Sequence, residues 1–340
     1  MVEVSLAELR RAVGCDVVGR PESMSVVARH RGRWLLALPE AGPRQVLLHN
    51  TVAMVRFIER HLPSAWPEGG WSLVYPRDGW GEHLGAAAQY EWVPADTVNV
   101  NTELHARPGT IPVLSAERPG VLCFGCRVGD PSAVLMPDPY LLEGKVQVGI
   151  ADALASDRPW EAKASRFVFA GTHHGSPMNT PGHRWPNSRQ HLSDHVAGSG
   201  LPVEVYEGGR SRAQLLEAKF LLDTDGFVRT WDAFAWKAAS ASVPLLVDSV
   251  WDIWWRPFFE PWEHFVPVAH DLADLGTVIE WCLANDDECR RIAERGAERA
   301  PEVFTEATAA RAVAPRVEAH LAGELHSDLD VAPRWFSRSG

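Results

Sequence analysis

Cysteine is scarce in this chain, with five among 340 residues. An odd, low count argues against a disulfide framework and fits a reducing cytoplasm. The close pair in Cys123-Phe124-Gly125-Cys126 lacks the second pair that a structural zinc site wants, because Cys282 and Cys289 fall on a separate helical pattern. These thiols read as structural. Long apolar runs are missing as well, since nothing reaches the ~18 residues of a membrane span. The opening MVEVSLAELRRAVGC has no apolar core of signal-peptide length and carries acids early. Basic residues are outnumbered, 33 Lys and Arg against 44 Asp and Glu, for a formal net charge of -11. That balance argues against nucleic acid or an anionic membrane surface as the main partner. There is no internal repeat and no low-complexity tract.

Tryptophan and proline are abundant instead, 15 and 25 residues. A Trp in a wet cleft offers a sugar a flat apolar face with a polar edge. Most of these Trp are nevertheless expected as core and loop anchors, because aromatic side chains are strongly buried. Apolar residues make up 46% and charged residues 23%, a globular composition. The length exceeds what a single core usually supports, so two domains are expected.

Taken in order, the chain reads as α/β. A helix-like LAELRRAV is followed by β-like runs at 25–28, 34–38 and 45–48, the last leading into a helix from Thr51 to His61. Strands are expected at 97–101 and from Ile111, with Thr102-Glu103 in a polar exit loop. Asp138, between two prolines, reads as a turn residue. Arg166 to Ala170 is a buried-strand run that opens into the polar loop Gly171-Thr172-His173-His174-Gly175-Ser176. The stretch 219–268 is strand, tight Asp225-Gly226 turn, helix from a Thr230 cap to about Ala241, strand at 243–247, and a Trp-rich run ending PWEHFVPV. Strand, turn, helix, strand is half of a nucleotide-binding α/β domain, in which a helix N-terminus beside a strand end holds phosphate. Helices capped by Asp274 and Asp286 and a last helix near 303–322 complete the chain, with a loosely ordered tail at 323–340.

The order of these elements, with PWEHFVPV, His270-Asp271-Leu272-Ala273-Asp274-Leu275 and Ile292-Ala293-Glu294-Arg295-Gly296, resembles glycosyltransferase family 90. The resemblance is specific over roughly 160–300 and loose before. It implies two facing Rossmann-like domains of the GT-B type. The first is expected over 1–155, with the helix at 303–322 packing back on it, and the nucleotide-sugar domain over 156–302. It further implies an inverting transfer of glucose, xylose or a similar sugar from a UDP-sugar donor to an acceptor hydroxyl. That acceptor is a glycan, a metabolite or a protein, and no metal or other cofactor is expected. Asp223-Thr224-Asp225 has the spacing of a metal motif but coincides with the family's strand and turn.

The resemblance also suggests a site, residue by residue. Where the family ends a strand on its proposed catalytic acid, Thr102 stands here and Glu103 follows, so Glu103 is the candidate base, with a solvated loop acid as the alternative. The family's Phe-Arg-Gly-Ser/Thr reads Phe-Ala-Gly-Thr here, which puts Gly171, Thr172 and His173 by the donor diphosphate. Arg189, before a helix, matches the family's second Arg and supplies a bidentate fork. Thr230 and Trp231 would offer backbone N–H groups, followed by Asp232. Lys237 either reaches the phosphates or is a solvated helix residue. Asp248 either accepts from the donor ribose hydroxyls or caps the following segment. Two other readings stand beside this one. The chain could be a catalytically impaired nucleotide- or glycan-binding relative, or a metal-dependent hydrolase using His173, His174 and His183.

Overall fold

The computed structural model describes residues 1–14, 24–38, 44–76, 120–127, 133–173, 178–180, 183–185, 187–226, 228–229, 231–249 and 251–323. Glu103, Thr230 and the strands expected at 97–101 and 111–115 lie outside these residues. The protein is α/β and divides into two compact units.

The first unit takes Met1–Leu142, Trp251–Trp254 and the last helix, Glu306–Ala322. Its strands are β1 (Val2–Glu3), β2 (Ser25–His30), β3 (Arg33–Ala37), β4 (Trp71–Tyr75), β5 (Val121–Cys123), β6 (Cys126–Arg127) and β7 (Ala133–Leu135). Six of them form a mixed sheet in the order β1-β3-β2-β4-β5-β7. Arg31 and Gly32 turn the β2–β3 hairpin with φ of 51° and 68°, the paired left-handed backbone that matches the twist of the strands. Ser5 starts the helix Leu6–Val13 with a capping box, exchanging hydrogen bonds with Glu8. Asp138 caps the short helix Pro139–Leu142, accepting from the Tyr140 N–H at 2.9 Å.

One expected strand is a helix. Residues 45–48 form the first turn of Arg44–His61, whose buried positions Leu47, Thr51, Met54, Val55 and Ile58 keep helical spacing throughout. A run as short as Gln45-Val46-Leu47-Leu48 carries no period of its own, so the longer pattern decides. The last helix lies on this sheet. Arg316 Nε donates to the Ala133 carbonyl at 2.7 Å, and His320 Nε2 meets Ser72 Oγ at 2.8 Å. Gly120 makes room for that imidazole, since a Cβ there would lie 2.1 Å from His320 Nδ1.

The second unit takes Glu143–Val250 and Trp255–Thr305. Its main strands are β8 (Ala164–Ala170), β11 (Val203–Tyr206), β12 (Ala218–Asp223), β13 (Val243–Val247) and β15 (Val266–Val268). Between β8 and β11 lies a small antiparallel pair, β9 (Met178–Thr180) and β10 (His183–Trp185). The short strand β14 (Trp251–Asp252), which precedes β15 in the chain, belongs to the first unit and pairs antiparallel with β6. The five main strands are all parallel, in the order β11-β8-β12-β13-β15. Every residue of β12 and β13 is buried, as expected of parallel strands covered on both faces. Helices Ser188–Ser199, Leu275–Ala284 and Asp286–Val303 pack Leu192, Val278, Ile279 and Ile292 onto one face, around Phe167 and Phe220, which stack at 4.4 Å. Ala153, Leu215 and Trp236 cover the other face, over Val168 and Leu221. Within the Trp-rich run Trp251, Trp254 and Trp255 are buried, as expected of most of these Trp, while Trp262 is exposed, and Trp255 stacks on Phe234 at 4.6 Å.

Candidate functional site

In chain order the parallel sheet runs two, one, three, four, five, so its direction of winding reverses between β8 and β12. At such a reversal the flanking connections diverge to opposite faces and leave a crevice beyond the carboxyl ends of the strands. Gly171-Thr172-His173 leaves β8 at that point, and Thr224-Asp225-Gly226 leaves β12. The helix Ser188–Ser199 begins there. Its cap, Asn187, accepts from the Gln190 N–H at 2.9 Å and donates from Nδ2 to the His173 carbonyl at 2.8 Å. Ser188 Oγ donates to the Asp225 carbonyl at 2.6 Å, so the helix start is stitched to both loops.

Arg189 follows on the first turn. Its Nη1 donates to the Thr172 carbonyl at 3.1 Å and lies 3.4 Å from Thr172 Oγ1. Gly226 leaves space for it, since a Cβ there would stand 2.9 Å from Arg189 Nη2. Burial pulls the Arg189 pKa down, against the nearby charges of Asp223 and Asp225, yet a guanidinium remains charged. Those two carboxylates are already engaged with other cations. Among the described residues Arg189 has no carboxylate of its own.

Asp225 is held by Arg229 Nε at 2.7 Å and by Ser249 Oγ at 2.7 Å. Arg229 also donates to the Val247 carbonyl at 2.5 Å, while its buried Nη1 has no partner among the described residues. Asp223 takes Lys237 Nζ at 2.9 Å, and the same ammonium donates to the Leu222 carbonyl at 3.0 Å. Lys237 is therefore buried rather than solvated, and it is committed to the end of β12. Asp248 extends the ladder past β13, its N–H donating to the Val268 carbonyl at 2.7 Å, and its own carbonyl accepts from His270 Nδ1 at 3.0 Å. Burial raises the Asp248 pKa. A strand, β14, follows it rather than a helix, so it caps none.

The helix expected from Thr230 starts at Ala233. Trp231 has a φ of 80°, left-handed backbone that an α-helix cannot include. Asp232 pairs with Arg212, which also reaches Asp152 at 3.2 Å, and burial raises the Asp232 pKa. His173 faces Ser193 Oγ at 2.9 Å and Glu207 at 3.6 Å. The side chains of His174 and His183 lie outside the described residues, and among the described ones no three His, Cys, Asp or Glu side chains converge as a metal-binding group. The structure thus brings Gly171, Thr172, His173 and Arg189 together and adds Asp225, Arg229, Ser249 and His270. Those last four were missed, because Asp225-Gly226 was legible as a turn and the four-residue spacing to Arg229 was not.

A buried histidine on the same helix makes a pH prediction. His191, 3% exposed, has its pKa held down to about 4 by burial, with His195 and His270 pushing the same way and the carbonyl of Asp271 opposing. The unfolded chain takes up this proton near pH 6.5, the folded one only near 4. Stability is therefore complete above pH 6.5 and falls as the pH drops through that window, by up to about 3 kcal/mol. Denaturant titrations at pH 7 and pH 4 should show His191→Gln losing less stability than the parent by that order. Equal losses would remove His191 from the acid response.

Comparison with known proteins meets this geometry at the second unit. The family model described as Glycosyl transferase family 90 matches residues 210–305. That segment is similar to glycosyltransferase family 90. The family segment carries β12, β13, β15 and the buried pairs of Asp223 and Asp225, whereas Gly171, Thr172 and Arg189 precede it. An uncharacterized protein of Invertebrate iridescent virus 3 is 40% identical over 83 residues, 24% of this chain and 8% of its own. Protein O-glucosyltransferase 1 of Rattus norvegicus is 26% identical over 152 residues, 42% of this chain and 38% of its own. Human protein O-glucosyltransferase 3 is 31% identical over 78 residues, 23% of this chain and 15% of its own. The chain thus spans well under half the length of these relatives. No helix among the described residues is long and apolar enough to cross a membrane.

Proposed function

We propose that the protein transfers a sugar, glucose, xylose or similar, from a UDP-sugar to an acceptor hydroxyl, with inversion and without a metal ion. One observation carries the reading: Arg189 is a charged guanidinium without a carboxylate of its own among the described residues, at a helix start where the parallel sheet reverses its winding. A leaving diphosphate suits that place, because a helix N-terminus and a guanidinium both favour negative charge that grows as the sugar bond breaks. The acceptor hydroxyl attacks the anomeric carbon as the bond to the diphosphate oxygen breaks. Its proton passes to a carboxylate, for which Glu103 is the candidate, and the electron pair leaves with UDP. Asp248 would accept from the ribose hydroxyls. The GT-B arrangement, a cytoplasmic setting and an acceptor that is a glycan, metabolite or protein are parts of the same proposal.

Thermal shift and calorimetry against UDP, GDP, CDP and dTDP, each with and without EDTA, test it. A ligand at ~100 times its Kd adds ~2.7 kcal/mol to a folded state that alone binds it. A UDP-selective shift that EDTA leaves intact is expected. No response to any nucleotide would refute donor binding, and a response that EDTA abolishes would refute the metal-free mechanism.

A further inference from the structure

We infer that the first unit carries a binding site of its own, a cavity at the amino end of β3 that takes one neutral sugar residue. The cavity holds about 170 Å³, and its walls include Arg29, Trp34, Glu59, Leu62, Pro63 and Trp66. Drug-sized ligands fill ~300–1,000 Å³, so this space admits a single ring.

Its place follows from the strand register. Arg29 on β2 lies directly opposite Trp34 on β3, and such cross-strand pairs touch. The guanidinium stands 4.9 Å over the indole, and Trp66 meets the same indole edge-on at 4.8 Å. Trp66 belongs to the turn-rich segment before β4 and is pinned there by its Nε1, which donates to the Gly70 carbonyl at 3.0 Å. That segment is tied to β2 in both directions. The Arg29 N–H donates to the Gly70 carbonyl at 2.9 Å, and the Gly69 N–H donates to the Arg29 carbonyl at 2.8 Å. Glu59, on the last turn of the helix Arg44–His61, and Leu62, just beyond it, close the space. The fold itself thus holds the walls in place, which spares a ligand the cost of ordering them. The carboxyl ends of β3 and β4, where open α/β sheets hold their usual ligands, lie at the other end of the strands.

The charges select the ligand. Arg29 Nη1 donates to Glu59 Oε1 at 3.1 Å, and the Trp34 indole N–H donates to the same oxygen. Among the described residues Glu59 Oε2 and the remaining guanidinium N–H groups of Arg29 have no hydrogen-bond partner. Both side chains reach solvent, at 29% exposed for Arg29 and 44% for Glu59. An ion pair in the wall leaves the cavity without net charge. A phosphate or carboxylate would be repelled by Glu59, and an ammonium by Arg29. A neutral molecule with adjacent hydroxyls avoids both, because every hydroxyl can donate and accept. One hydroxyl donates to the open carboxylate oxygen while its neighbour accepts from the guanidinium. Leu62, Pro63 and the indole edges suit the apolar C–H face of a pyranose.

None of these groups belongs to the donor site proposed above, so the test does not pass through nucleotide binding. The whole protein is titrated with methyl glucoside, methyl xyloside, glucosamine and glucose 6-phosphate while its indole N–H resonances are followed. The signals of Trp34 and Trp66, identified through Trp34→Phe and Trp66→Phe, are expected to move with one of the two neutral glycosides. Both charged sugars should bind much more weakly. Glu59→Gln keeps an acceptor for Arg29 and Trp34, and it is expected to weaken the glycoside about tenfold, the effect of losing one hydrogen bond to a charged group. Its response to UDP should match the parent's. Movement of other indole signals without these two, an unchanged affinity in Glu59→Gln, or a charged sugar bound as tightly as a neutral one would each overturn the site. So would the absence of binding by either glycoside. Should Glu59→Gln unfold, the indole signals of the parent and its choice between neutral and charged sugars still decide. Failure of the parent to bind UDP would end the donor reading and leave this site standing.

Discussion

Replacing Arg189 with Ala is expected to lower kcat/KM for donor turnover by about 10²–10³, the usual effect of removing one preorganised donor from a site of developing negative charge. UDP affinity should fall with it, while the melting temperature stays close to the parent's. The asymmetry follows from what Arg189 touches. Its only described hydrogen bonds run to the carbonyl and hydroxyl of Thr172, so its removal breaks no ion pair. Arg189→Lys should recover little, because a point charge cannot replace a planar fork on a diphosphate. Gly226→Ala provides a second route to the same defect. Its added methyl would sit 2.9 Å from Arg189 Nη2, and the guanidinium, being the far end of a flexible side chain, yields before the backbone does. Gly226→Ala should therefore impair turnover without removing charge and with little change in stability. Normal UDP release by Arg189→Ala would end the assignment of Arg189 to the leaving group.

The largest stability effect is expected at the residue next to that glycine. Asp225→Ala should destabilise the second unit by about 3–5 kcal/mol, because it strands a buried guanidinium. The Asp225 and Arg229 side chains are 6% and 5% exposed. With Asp225 gone, Arg229 keeps one described acceptor, the Val247 carbonyl, and already has an unpartnered Nη1. Ser249 Oγ would lose its acceptor as well. Denaturant unfolding followed by Trp fluorescence reports this directly, since Trp236 and Trp255 are buried in the same unit. The paired change Asp225→Leu with Arg229→Met should cost much less than Asp225→Ala alone, because two apolar groups need no partner. A loss below about 1 kcal/mol for Asp225→Ala would show that water satisfies Arg229 in its absence.

How much of this was legible in the sequence depended on the length of the pattern. The strands of the second unit and the helices near the end of the matched segment were legible, because each rests on a local rule, but their caps were not: the Asp274 carboxylate accepts from the Ala269 N–H, and Asp286 stands inside its helix with its carboxylate on Lys219 and Trp160. Nor is Gly226 left-handed, as the turn rule expected. The helix Arg44–His61 was read short, because the short run Gln45-Val46-Leu47-Leu48 at its start fits a strand equally well. The start of Ala233–Ala238 was misplaced for a different reason. Thr230 is a good capping residue in isolation, but Trp231 stands in left-handed backbone between two ion-paired residues, and the partner of Asp232, Arg212, lies on an earlier helix. Lys237 shows the same limit. A lysine on a short helix looks solvated until the strand end that receives its ammonium is in place. The winding order of the sheet, which locates the crevice, emerges only from the pairing of strands far apart in sequence.

The first unit is assembled from three separated stretches, the last of them Glu306–Ala322. This has a consequence for synthesis on the ribosome. The sheet of β2, β4 and β5 emerges early, but the helix that sets His320 against Ser72 and into the space at Gly120 follows only after Glu143–Thr305 has been made. At ~5–20 residues per second, that face waits roughly 10–40 s for its cover. During that interval the nascent chain presents an apolar surface that a holding chaperone can occupy, and the first unit is finished later than the stretch that builds the second.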